Sequence, residues 1–570
     1  MNKYLLKNAP CILIIITLTI LSIINIANLK YGFFTAYDHA YFLLKLKEGY
    51  TLSSITGKSQ WNLIAVHWFP FLDLTSKVNS FLASSILMWF SILIMTLTCC
   101  VIYDKKNFLK YFALIFLFYF PITVLCMSYI PMHAAVTCWA LCSFMLFHHC
   151  QKKITKYLFA GLCGLLLGLD CFIYIPAGLS LLAFTFLAIL LTYWKDKKTM
   201  FISFLSGILG GMLSLAYIHF FICNLRDIFD AMLFTASYIG KSGYNYDSSS
   251  IIMQYILFFR DYIFVFIALI GAFSLSKIFK NKYIGTIVYA TLILLYNHYQ
   301  VKPSVNPTMF LVSLAIIPIL TNFNSNTKTH FINKKNIWIF LYLLLAPFVA
   351  SIGTNTELGS RISCFTIAWL FLYFQYEKDG HINHWNRVLI GAILLSIIPI
   401  INVVKDFDHG DKKFQFTRGN KYFSELYITE KQKNYFDNVY DIMEEYNYQP
   451  NKSVVFTALY DYCCLYAFDA VNSSNFHQIQ NFHFFDKEKM LKPDFIFLCQ
   501  WDSIVIAEEL HNMPWGWPED FDAFPVGSPE PDDAPWVLSP TLEQRTLYCR
   551  KKNSSDSLTK PTTNISLGNE

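Results

Sequence analysis

Runs of about 20 apolar residues recur between Cys11 and Val404, each long enough to cross the roughly 30 Å hydrocarbon core of a bilayer as an α-helix. No other feature constrains the fold so tightly. In lipid every backbone N–H and C=O must find its partner within the protein, and a helix provides this on its own. The chain is 55% hydrophobic and 18% aromatic but only 15% charged, where soluble domains carry about 25%. The sequence is therefore that of an α-helical polytopic membrane protein. Spans are expected at 10–29, 79–102, 108–128, 132–149, 155–169, 172–194, 199–222, 262–278, 283–298, 307–321, 336–353, 361–376 and 387–404, about 13 in all. The first is taken as an uncleaved helix, because no Ala-x-Ala site follows it.

The loops supply an independent test. Asp104–Lys106 with Lys110, Gln151–Lys156, Lys195–Lys198, Lys277–Lys282, Lys328–Lys335 and Glu377–Arg387 are short and rich in Lys and Arg. The alternate set, 128–131, 169–170, 297–306 and 353–360, is poor in basic residues. The positive-inside rule places the first set and the N-terminus in the cytoplasm, and an odd number of spans then leaves the C-terminal part outside. Two outer loops are long, 30–77 and 223–261, and mix aromatic with polar residues as interfacial helices do. Loops of that length are unusual unless they carry function.

Beyond about residue 404 the long apolar runs stop. From Lys405 onward there are 16 Lys+Arg against 26 Asp+Glu, a net of −10, although the whole chain carries +6. Residues 405–552 are expected to form a small soluble α/β domain outside the membrane, following a transmembrane domain over 1–404. Tyr422–Tyr446 reads as a helix, while Ser453–Ala458 and Asp494–Cys499 read as buried strands. Trp515–Asp520 and Pro525–Pro535 read as turns, and the Ser/Thr-rich stretch 553–570 as disordered. Eleven of the 15 cysteines lie between Cys11 and Cys364, mostly inside apolar spans, where they act as small hydrophobes.

The first outer loop holds the residues that bear most on chemistry. Asp38 lies about ten residues past the first span, followed by Tyr41, Gly49, Trp61 and the run Val66-His-Trp-Phe-Pro-Phe-Leu-Asp73. The competing, purely structural reading of Asp38 is an ion pair with Lys30 or Lys45; for His67 it is a place in the interfacial aromatic belt. Asp170, in Gly168-Leu-Asp-Cys171, suits a helix cap as well as an active-site acid. His133, after Pro131, is expected on the outer side as a capping residue or a ligand. Missing altogether are a Walker A loop, a Gly-rich dinucleotide loop and zinc-ligand spacing. Acids and bases in mid-span, which coupled transporters need, are nearly lacking, and nothing points to nucleic acid.

An acid just outside the first helix, an aromatic three residues on, and a Pro-aromatic segment leading into the second helix resemble the first loop of the GT-C superfamily. These are integral-membrane glycosyltransferases dependent on polyprenyl-phosphate sugars, of the oligosaccharyltransferase, protein mannosyltransferase and aminoarabinose transferase type. Where many members have a second acid this chain has His39, which favours a single base over an acidic pair. The resemblance implies a GT-C-like fold and transfer of a sugar from a polyprenyl-phosphate donor to a glycan, lipid or protein acceptor on the outer face of a bacterial inner membrane. Asp38 would be the general base, or would contact a divalent metal ion, for which Asp170, His133 and Glu357 are further candidates. Arg361, which opens a span directly after the outer loop 353–360, would hold the donor phosphate. Lys241, Lys302 and Arg260 would be weaker candidates for the same phosphate, while His67 and Tyr41 would line the substrate cleft, with Glu357 as a lesser candidate. Asn451 and Asn472 head Asn-x-Ser sequences that an endoplasmic reticulum would also read. The alternatives are a lipid-linked-sugar flippase or polysaccharide exporter, which needs polar residues along a path, and an envelope-assembly protein anchored by its membrane half.

Overall fold

The computed structural model describes residues 2–32, 42–47, 61–226 apart from 124, 336–352, 361–378, 412–457, 462–473, 490–499, 507–528 apart from 509, and 544–551, with isolated residues elsewhere. It divides into two compact units, one of 1–29 and 42–408, the other of 30–41 and 409–570.

The first unit is helical. Its long helices are α1 (Asn2–Asn28), α3 (Lys77–Ile102), α4 (Phe108–Thr123), α5 (Tyr129–His149), α6 (Lys153–Ile173), α7 (Ile175–Tyr193) and α8 (Lys197–Tyr217), with the short α2 (Trp61–Trp68) between α1 and α3. Farther along lie α9 (Asn336–Val349) and α10 (Ile367–Lys378). Among the described residues six helices are long and apolar enough to cross a membrane: Asn8–Asn28, Lys77–Ile102, Tyr129–His149, Lys153–Ile173, Ile175–Tyr193 and Lys197–Ile222. The spans expected at 262–278, 283–298, 307–321 and 387–404 lie outside the described residues, or have only isolated described positions.

Small residues decide how the helices meet. Gly161, Gly164 and Gly168 of α6 face Gly207, Gly210, Gly211 and Ser214 of α8 so closely that a Cβ on Gly164 would stand 2.0 Å from the Gly207 carbonyl oxygen. A Cβ on Gly210 would meet that of Gly161 at 1.9 Å. In lipid no hydrophobic force drives helices together, so close backbone approach of this kind supplies the packing energy. Polar ties draw α9 and α10 onto the same bundle: Thr185 Oγ1 lies 2.8 Å from Tyr342 Oη, Trp369 Nε1 donates to the Leu344 carbonyl at 3.0 Å, and Tyr103 Oη donates to the Phe371 carbonyl at 2.7 Å.

The α6–α7 junction departs from expectation. A turn at 169–170 is not formed; α6 continues to Ile173, and only Tyr174 separates it from α7. Pro176, in the first turn of α7, accounts for the break: it has no N–H to donate back to Phe172, so one continuous helix cannot run through it, and the chain is extended at Tyr174. Asp170 therefore sits inside the last turn of α6 and caps nothing.

The second unit is α/β. Its sheet has the order β2-β1-β3-β5-β4, from β1 (Val454–Thr457), β2 (Val471–Asn472), β3 (Phe495–Cys499), β4 (Phe521–Gly527) and β5 (Arg545–Arg550). β2, β1 and β3 run parallel, with Val455 opposite Phe495; β5 and β4 are antiparallel. Both expected buried strands are present. The turn expected from Pro525 is instead the end of β4, which tolerates a proline because it lies at the sheet edge. Helix α11 (Glu430–Glu445) starts at a capping box in which Thr429 and Gln432 exchange hydrogen bonds, eight residues later than its expected start. The 12-residue stretch 30–41 contributes to this unit through Lys30–Gly32. Gly32 N–H donates to the Tyr427 carbonyl at 2.8 Å, Tyr427 N–H donates to the Lys30 carbonyl at 2.7 Å, and the rings of Tyr31 and Tyr427 stack at 5.1 Å.

Candidate functional site

One end of the helical unit gathers the polar side chains. His133 occupies the second turn of α5, with Tyr129 one turn before it and Thr137 one turn after, so the three form a single stripe. The stripe faces Asp170 of α6. His133 Nδ1 lies 2.7 Å from Asp170 Oδ1, Thr137 Oγ1 donates to Asp170 Oδ2 at 2.9 Å, and His133 Nε2 donates to the Ala350 carbonyl at 2.9 Å. Asp170 is 0% and His133 5% exposed.

The proton count follows from these partners. A carbonyl can only accept, so Nε2 carries a hydrogen. A 2.7 Å contact between a ring nitrogen and a carboxyl oxygen needs a second proton between them. The pair as a unit is then electrically neutral whichever atom holds that proton, which makes its burial in a membrane helix bundle tolerable. It also decides what the pair can bind. Both ring nitrogens are committed, so His133 has no lone pair aimed at an ion. Among the described residues no group of three or more His, Cys, Asp or Glu gathers, and the described donors do not fit a divalent metal ion.

Aromatic rings connect the pair to Arg361. The His133 ring contacts Tyr174 at 5.4 Å and Phe365 at 4.9 Å; Tyr174 stacks on Tyr129 at 5.2 Å. Arg361 Nη2 donates to Tyr129 Oη at 2.7 Å, with the guanidinium 5.0 Å from the Tyr129 ring centre. Tyr129 in turn meets Phe42 edge-on at 6.0 Å. Tyr129 thus holds a half-buried cation at this helix end by hydrogen bond and cation–π contact.

Of the residues singled out in the sequence, Arg361, His133 and Asp170 come together here. His67 does not join them: it is exposed at the end of α2, its ring against Tyr217 at 5.6 Å and Phe221 at 6.4 Å, while its neighbour Trp68 donates to Tyr217 Oη at 3.1 Å. Arg260 is exposed. Asp38, Tyr41, Lys241, Lys302 and Glu357 lie outside the described residues. Sequence reading missed Tyr129, Thr137 and Tyr174. The first two carry a signal that was available, polar side chains four residues either side of His133; Tyr174 carries none.

No protein-family description matches the chain, and no curated protein matches it. Solved structures do. The oligosaccharyltransferase of Archaeoglobus fulgidus, in complex with Zn and sulfate, covers 85% of this chain and 67% of its own at 13% identity and a TM-score of 0.45. ArnT from Cupriavidus metallidurans, bound to undecaprenyl phosphate, covers 94% of this chain and 97% of its own at 9% identity and a TM-score of 0.45. The Archaeoglobus oligosaccharyltransferase AglB, with an inhibitory peptide and a dolichol-phosphate, covers 85% and 69% at 12% identity and a TM-score of 0.43. Likenesses of this depth assign neither substrate nor chemistry.

Proposed function

We propose that the chain is a membrane glycosyltransferase that moves a sugar from a polyprenyl-phosphate donor to an acceptor on the outer face of the membrane. The observation that carries this reading is Arg361 held on Tyr129 at the helix end that also buries the His133–Asp170 pair. Ionisable side chains inside a membrane bundle are expensive to keep and mark functional sites. Arg361 is also the residue to which the resemblance in the sequence gives the donor phosphate.

In the reaction the acceptor oxygen or nitrogen attacks the anomeric carbon of the donor sugar. The bond from that carbon to the phosphate oxygen breaks, and its electron pair leaves on the phosphate. Asp38 takes the acceptor's proton as general base. Arg361 offsets the charge that gathers on the departing phosphate, a service worth most where water is excluded. His67, exposed and among aromatic rings, lines the acceptor side. No step is routed through a metal.

The test is sugar transfer from a polyprenyl-phosphate donor in detergent by variants that reach wild-type levels in the membrane. Asp38→Asn and Asp38→Ala are expected to lose about 10²–10⁴ in rate, the usual contribution of a general base. Full transfer by either variant overturns the role of Asp38. A wild-type chain that moves lipid-linked sugar across vesicle membranes without transferring it overturns the enzyme reading in favour of a flippase.

A further inference from the structure

We propose that His133 and Asp170 are positioning residues for Arg361, acting as a clamp between the end of α9 and the segment 361–365. The proposal rests on the reading that Arg361 holds the donor phosphate. It assigns that arginine's placement to a buried pair that the reaction itself does not use.

The geometry is that of a clamp because His133 touches both Ala350 and Phe365, on either side of residues 353–360 in the chain. On the incoming side its Nε2–H donates to the carbonyl of Ala350, just past the end of α9. On the outgoing side its ring lies edge-on against Phe365, four residues after Arg361, at 4.9 Å. Asp170 and Thr137 fix the imidazole itself, one through Nδ1 and the other through the second carboxyl oxygen. The imidazole therefore has little freedom to rotate. From its ring the contact continues through Tyr174 and Tyr129 to the guanidinium. A bidentate grip on a phosphate depends on the orientation of a planar fork, and a site loosened by an ångström because its supporting shell is soft loses function without losing any contacting group.

The Asp170 position permits a sharp separation of shape from charge. Asparagine in its place donates from its amide to Nδ1 and accepts from Thr137, so it restores both hydrogen bonds with no charge. Alanine restores neither. A clamp needs the hydrogen bonds; a carboxylate acting as ligand or base needs the charge.

The experiment is binding of polyprenyl monophosphate to the full chain in detergent, for wild type, His133→Phe, Arg361→Gln and the double variant. Each single change is expected to weaken binding about tenfold, which is about 1.4 kcal/mol. If His133 acts through Arg361, the double variant binds no more than about threefold worse than either single one, because coupled sites do not add. Full additivity, about a hundredfold, overturns the proposal, as does His133→Phe binding like wild type. Should His133→Phe not accumulate, Asp170→Asn and Asp170→Ala decide the matter. Asparagine is expected to stay within about threefold of wild type and alanine to fall about tenfold; equal losses overturn the clamp. Wild-type chain that binds no polyprenyl monophosphate overturns the donor reading itself, and the clamp with it. Binding by wild type with additive variants overturns the clamp alone.

Discussion

At the scale of single residues, Asp170 shows how a membrane protein keeps an acid out of water. Its two oxygens face a ring nitrogen and a hydroxyl, so neither is left without a partner. An unmade hydrogen bond to such a group costs about 1–3 kcal/mol. Thr137→Val, which removes one donor without changing the shape, is expected to lower the thermal midpoint of the protein in detergent, whereas Thr137→Ser keeps it. An unchanged midpoint for the valine variant would show that Oδ2 has another partner. Arg361→Lys makes a related point. Lysine retains the charge but loses the planar face that lies over Tyr129, so donor affinity is expected to fall about tenfold, measured as KM for the donor at unchanged membrane level. These residues also show what the sequence could disclose. Arg361, His133 and Asp170 were visible as polar residues in apolar surroundings, but their convergence was not, because it depends on α6 running on to Ile173. A reading that stopped α6 near Leu169 left the acid open to a cap as well as to an active-site role.

At the scale of elements, glycine fixes the distance between α6 and α8. Gly164→Ala would place a Cβ 2.0 Å from the Gly207 carbonyl oxygen, and the backbones must part to admit it. On the opposite helix Gly207→Ala meets only the Ala160 carbonyl oxygen at 3.8 Å, an ordinary contact. The first variant is expected to destabilise by about 1–3 kcal/mol and the second to be neutral, both read as thermal unfolding in detergent; equal effects would mean that α6 and α8 do not pack as described. Helices and strands were largely legible: periods, caps and apolar runs located α3, α5, β1 and β3 within a few residues. β4 was not legible, since Pro525 argues for a turn unless the strand is known to be at an edge. In the α/β unit Tyr446, just after α11, donates to Asp522 of β4 at 2.7 Å, and that bond with burial pushes its phenol from 10.0 up to about 12. A raised phenol holds its proton more tightly when folded, so its contribution is full below about pH 10 and is lost as pH rises through about 12. Tyr446→Phe is expected to flatten that alkaline slope in a stability-versus-pH series.

At the scale of the whole molecule, the chain is not divided at a single point. The stretch 30–41 leaves the first unit directly after α1 and belongs to the unit formed by the C-terminal residues, an arrangement no run of composition could have announced. Charge and hydropathy place a boundary near residue 404, and they are silent about the strap Lys30–Gly32, which forms an isolated bridge with Tyr427. Gly32 has φ +91° there, a conformation that proline cannot reach, and its N–H is committed to the Tyr427 carbonyl. Gly32→Pro is therefore expected to free this strap. Hydrogen exchange at the Tyr427 amide would rise about tenfold or more, while the Phe497 amide in β3 stays protected; an unchanged Tyr427 amide would refute the pairing. The strap also sets an order in time. About 400 residues separate Tyr31 from Tyr427, and a ribosome adding about 5–20 residues per second needs tens of seconds to bridge them. Lys30–Gly32 must therefore wait, their backbone partner not yet made, until about three quarters of the chain has been synthesised.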